Sequence, residues 1–106
     1  MNLQEKEITS RIKKRIKNKN PDAEVILFGS HARGQANANS DWDILILLNQ
    51  NNVNRNIERE YRDELFEVEL EIGEPISTFV FSKFDWENKY SSTPLFENII
   101  KEGVHL

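Results

Sequence analysis

Two acids separated by one residue, Asp41 and Asp43, stand at the entry to an apolar run, Trp42–Leu48, and a Gly29–Ser30 turn closes an earlier run, Val25–Phe28. Side chains alternate along a strand, so the two acids project from one face if Asp41 already belongs to it. Carboxylates that close repel unless a cation lies between or beside them, and an unpaired one is costly to bury in an otherwise apolar strand. Hard oxygen ligands of this kind suit Mg2+, which binds through one or two carboxylates together with substrate phosphates. Gly29 has no Cβ, so the chain turns tightly there and a ligand can approach the backbone. With the Ser30 hydroxyl, the turn offers hydrogen-bond donors to a phosphate oxygen. A phosphate cradle facing a magnesium-binding acid pair is the minimal equipment for phosphoryl or nucleotidyl transfer, where positioning and charge neutralisation supply most of the catalysis. Either part alone is commonplace; joined in this order at the ends of two apolar strands, they are much more specific.

The elements that must hold these residues follow from periodicity. Leu3, Ile8, Ile12 and Ile16 share a helical stripe over residues 3–17, which the polar cluster around Pro21 ends. Val25–Phe28 is a short buried strand, and Ser30, followed by His31-Ala32-Arg33, fits the N-cap of a short helix. Residues 35–40, rich in Asn and small residues, form a loop before the second strand, 42–48. Ile57, Tyr61, Leu65, Val68 and Ile72 make a well-formed helical stripe that Gly73 caps and Pro75 stops. Residues 76–82, β-branched and aromatic, form a third strand. A short helix fits within 82–90, and Thr93-Pro94 starts a last helix that ends at Gly103. Residues 104–106 add a final β segment or pack against the sheet. Strands interleaved with helices predict a small mixed β-sheet flanked by helices, in the α/β or α+β class.

Composition narrows the rest. A chain of 106 residues is about one small domain, and residues 1–106 are read as such, without repeats or linkers. The net charge of -4 argues against a generic nucleic-acid surface. The basic residues Arg11, Lys13, Lys14, Arg15, Lys17 and Lys19 are read as the solvated side of the first helix, and the acids from Glu58 to Glu71 as the solvated side of the long one. Without cysteine, neither a disulfide nor a thiolate metal site is available. No apolar run approaches the roughly 20 residues of a membrane span, so a cytoplasmic location with no membrane partner is expected. Phe28, Trp42, Phe79, Phe81 and Trp86 are read as core aromatics in preference to base-stacking ones. His31 is read as a helix-surface residue, and Tyr61 and Phe66, at the rim of the long helix, as the first place to seek an interface.

GSHARG followed by SDWDILI resembles the signature of the polymerase-β-like nucleotidyltransferase superfamily, and closely resembles its version in the minimal nucleotidyltransferases, small domains often found beside a HEPN-type partner. The resemblance is strong over the central segment and weaker over the next helix and ENIIKEGVHL. It implies the nucleotidyltransferase fold, with Gly29 and Ser30 holding the triphosphate and with Asp41 and Asp43 as catalytic residues ligating Mg2+. Arg33 either steadies the phosphates or caps the loop, or is structural and pairs with an acid such as Asp41. The implied activity moves a nucleotide, AMP from ATP, to an acceptor hydroxyl. The implied acceptor is a tyrosine of a HEPN-type toxin, which makes the chain an antitoxin.

One position departs from that pattern. Fully active relatives carry a third carboxylate at the start of the next core strand, as base for the acceptor hydroxyl. Here the place falls near Ser77; Glu74 precedes it and Asp85 follows the strand, but neither occupies it. Loss of a general base typically removes about 10²- to 10⁴-fold in rate, a handicap to turnover and not its abolition. The rival reading is therefore a nucleotide-binding module that neutralises its partner by contact alone. Modification of a small molecule such as an aminoglycoside is disfavoured, because the chain shows no further acceptor-binding structure.

Overall fold

The computed structural model describes residues Met1–Leu106. In chain order the elements are helix α1 (Leu3–Lys19), strand β1 (Glu24–Phe28), helix α2 (Gly29–Arg33), strand β2 (Trp42–Leu48), helix α3 (Arg55–Ile72), strand β3 (Ile76–Ser82), helices α4 (Lys83–Asn88) and α5 (Pro94–Glu102), and strand β4 (Val104–His105). The sheet has the order β3-β2-β1-β4; β1 runs antiparallel to β2 and β4, and β2 runs parallel to β3. This is the mixed sheet flanked by helices expected from the sequence.

The helix starts are built locally. Asn2 and Glu5 form a reciprocal capping box on α1, in which the Glu5 N–H donates to Asn2 Oδ1 at 2.8 Å and the Asn2 N–H to Glu5 Oε1 at 3.1 Å. Asn54 Oδ1 caps α3 by accepting from the Ile57 N–H at 2.9 Å, and the Thr93 hydroxyl caps α5 ahead of Pro94. The short helix α4 is held by the buried Ser82 hydroxyl, which accepts from the Asp85 N–H at 2.9 Å. At the other end of the chain, the Leu106 N–H donates to the Val25 carbonyl, extending the β4–β1 pairing.

β2 lies between β1 and β3 and is covered on both sides, which is why it reads as an almost unbroken apolar run. Its even-numbered residues Ile44, Ile46 and Leu48 point into a core filled by Ile8, Ile12 and Ile16 of α1 and by Tyr61, Leu65 and Val68 of α3. Leu45 and Leu47 point to the opposite face, where they join Ile26, Phe28, Trp86 and Ile99 in a smaller cluster beneath α4 and α5. Asp43, by alternation, belongs to that second face.

Three expectations are corrected. Tyr61 is buried and its hydroxyl accepts from Asn20 Nδ2 at 3.2 Å, so it belongs to the core and only Phe66 of the pair is exposed. His31 is buried at 7% exposure and not on the helix surface. The basic side of α1 and the acidic side of α3 are solvent-facing, with Lys13 and Lys14 exposed as expected, but they are not separate: they meet along the seam between the helices, where Arg15 reaches Glu64, Glu67 and Glu71, and Arg11 reaches Glu71 at 3.2 Å.

Candidate functional site

Strand register assembles the site. Phe28 of β1 stands opposite Asp43 of β2, and Asp43 stands level with Ser77 of β3. Gly29, which follows Phe28, is therefore carried directly against Asp43. The fit allows no side chain: Gly29 has φ +76°, and a Cβ built there would lie 2.0 Å from Asp43 Oδ2. Glycine is required on both counts, backbone conformation and close approach. The turn continues as α2, which starts at Gly29 with Phe28 in the cap position, so Ser30 lies inside the first turn and does not cap it.

The two acids differ in environment. Asp41 is exposed, just ahead of β2, and its Oδ2 accepts from the Ser77 hydroxyl at 2.9 Å. Asp43 is half-buried and has no donor of its own. Burial pushes its pKa up, the neighbouring Asp41 charge adds to the rise, and His31 and Arg33 partly offset it. A half-buried carboxylate without a hydrogen bond, next to a second carboxylate, is a poor anion site and a good cation site. The donor set thus fits Mg2+: two hard oxygen ligands from Asp41 and Asp43, with the remaining positions left to phosphate and water. No group of three or more His, Asp or Glu side chains is assembled that would hold a metal without such outside ligands.

Arg33 does not pair with Asp41. Its Nη1 donates to Glu102 Oε2 at the end of α5 at 2.7 Å, and its Nε donates to Gln35 at 3.1 Å. Glu102 lies near enough to add to the upward push on Asp43, which makes it a further acid at this site that no local pattern announces. His31 stacks on Trp42, with ring centroids 3.6 Å apart and planes 9° from parallel, and neither of its nitrogens has a hydrogen-bond partner. Trp42, 1% exposed, is a core residue whose Nε1 donates to Glu74 at 3.2 Å. Glu74 is thereby directed to Trp42, and Asp85 is placed by the α4 cap, so Ser77 alone occupies the level of Asp43 on β3.

No curated protein sequence matches the chain. Solved structures do. A toxin–antitoxin complex with AMP-PNP aligns at 21% identity and TM-score 0.65, over 91% of this chain and 69% of that one. Two mutant forms of the toxin–antitoxin MntA-HpeT align at TM-score 0.64, one at 20% identity over 92% of this chain and 70% of that one, the other at 18% over 91% and 69%. At such identities the likeness is one of fold. The family model for the nucleotidyltransferase domain matches residues 9–103, from α1 to the end of α5. Nearly the whole chain is spanned by that match, and it belongs to the nucleotidyltransferase domain family.

Proposed function

We propose that residues 1–106 act as one nucleotidyltransferase domain that transfers AMP from ATP, with Mg2+, to a hydroxyl on a partner protein, as the antitoxin of a toxin–antitoxin pair. The observation that carries this reading is the Asp43 carboxylate, pressed against the Cβ-less Gly29 and left without a donor beside Asp41. A bound Mg2+ would supply neutralisation of phosphate charge at these two acids. Gly29 and Ser30 would hold the triphosphate. Arg33, exposed at the same end, would steady it, with Glu102 setting the direction of the guanidinium. In the reaction, the acceptor oxygen forms a bond to the α-phosphorus, the bond from that phosphorus to the oxygen bridging to the β-phosphate breaks, and pyrophosphate leaves. The hydroxyl proton passes to solvent, because Ser77 stands where a carboxylate base would be. The acceptor implied by the resemblance is a tyrosine of a HEPN-type toxin; support for a nucleotide and a protein partner comes from the neighbours, a toxin–antitoxin with AMP-PNP among them.

Ser77 also favours a second reading, a domain that binds nucleotide and silences its partner by contact without turnover. Incubation with α-labelled ATP, Mg2+ and the protein encoded by the adjacent reading frame separates the two. The transferase reading expects covalent label on that protein, cut by about 10²- to 10³-fold or more when Asp41 and Asp43 become alanine. A stable complex without label would leave only the contact reading.

A further inference from the structure

β3 is an edge strand whose single neighbour is β2. The Pro75 carbonyl accepts from the Trp42 N–H at 2.9 Å, so the main-chain groups of Pro75 face β2. These groups alternate sides along a strand, and in a parallel pair the N–H and C=O of one residue point the same way. Those of Ser77, Phe79 and Phe81 therefore face β2, and those of Ile76, Thr78 and Val80 face outward. Ile76 bears this out, because its N–H donates to the Glu69 carboxylate of α3 at 2.7 Å. Thr78, half-buried, has no such cap.

A groove of about 520 Å³ runs beside this edge, lined by residues 76–79 of β3 and by Arg62, Asp63, Phe66 and Glu69 of α3. Four consecutive strand residues alternate between faces, so a groove touching all four lies along the edge of the strand. Phe66, 54% exposed, supplies an apolar wall. Towards the start of β3 the groove is lined by Ser77, whose hydroxyl is bonded to Asp41. Along α3, Arg62 and Asp63 are shared with a second cavity of about 270 Å³ that is lined also by Arg55, Glu58 and Arg59. Arg62 pairs with Glu58, which leaves Arg55 and Arg59 without a partner.

We propose that an extended segment of the protein substrate docks in this groove as an added strand on β3, with its acceptor hydroxyl at the Ser77 end and acidic side chains at the Arg55–Arg59 end. The proposal rests on the transfer reading above and names how the acceptor is held. An added strand lies about 4.8 Å from β3, and main-chain bonds to Thr78 fix its register beside the acid pair. Arg59 and Glu69 are about 15 Å apart along the helix axis, which places the acidic side chains about four or five strand residues from the acceptor. Charge then chooses which extended segments fit, and the open edge supplies affinity to any that do.

The test uses the full chain and the protein encoded by the adjacent reading frame. Amide exchange at Thr78 is expected to slow at least tenfold when that protein is added, and Thr78→Pro, which removes the outward N–H, to cut label transfer at least tenfold while ATP binding measured by calorimetry is unchanged. The double variant Arg55→Glu, Arg59→Glu guards against a folding failure of the proline variant, since both positions are exposed and acids suit the start of a helix; it is expected to raise the KM for the partner and leave ATP affinity alone. An unprotected Thr78 amide together with wild-type transfer by the double variant overturns the docking. RNA that binds Arg55 and Arg59 while the partner leaves the Thr78 amide unprotected also overturns it. Protection without any label transfer supports the added strand and instead removes the transfer reading.

Discussion

The two faces of the sheet are built to different ends. Against one face, α1 and α3 pack a continuous core that includes Ile12, Ile16, Ile44, Leu65 and Val68, all but inaccessible to solvent. Against the other, α4 and α5 cover a smaller cluster around Leu45, Leu47, Trp86 and Ile99. On that second face, at the end where Asp43 and Ser77 stand, carboxylates lie close together without full compensation. The first face is optimised for burial and the second tolerates an electrostatic cost. The contrast shows where the fold draws its stability and where it gives some up.

Three substitutions would sharpen or break that contrast. Ile12→Ala, on the well-packed face, is expected to destabilise the chain by about 2–5 kcal/mol in denaturant unfolding while leaving ATP affinity of the folded protein unchanged. A loss of affinity as large as the loss of stability would mean that the faces are not separable. Gly29→Ala, on the open face, is expected to cost about 1–3 kcal/mol, because alanine is strained at this positive φ and its Cβ displaces the Asp43 carboxylate; here ATP and Mg2+ binding should fall with it. Asp43→Asn has the smallest effect and the opposite sign. A carboxyl whose pKa is raised on folding holds its proton more tightly in the folded state, so its contribution is present below the unfolded value near 3.8 and is lost as pH rises through the folded one. At neutral pH the ionised Asp43 therefore weakens the fold. The asparagine variant should melt above the wild type at pH 7, with the gap closing towards pH 4. A variant less stable than wild type at pH 7 would refute the idea of an electrostatic cost at this site.

Much of the fold was legible because it rests on local chemistry. The α3 stripe, the Gly73 stop and the Thr93-Pro94 start are each set by residues within a turn or two, and strand alternation placed Asp41 and Asp43 near each other before any packing was known. Contacts between distant parts of the chain were not legible. Arg33 finds Glu102 across most of the sequence, and no spacing rule points to that acid. His31 follows a helix-surface pattern locally, yet the stacking surface of Trp42, brought by the next strand, buries it. Ser30 has the chemistry of a cap, but the register that presses Gly29 onto Asp43 starts the helix two residues earlier, with Phe28 in the cap position. The opposing charges of α1 and α3 were visible as two stripes; that they face one another is a property of how the helices pack.

The pairing of β4 with β1 has a kinetic side. Val104 and His105 pair with Leu27 and Ile26 across sequence separations of 77 and 79 residues. Contacts of such separation are bought with loop entropy before they return any energy, and they slow folding relative to helical proteins of the same size. During synthesis β1 consequently keeps an open flank until β4 emerges, so the newly made chain passes through a stage with the free edges of both β1 and β3 unguarded.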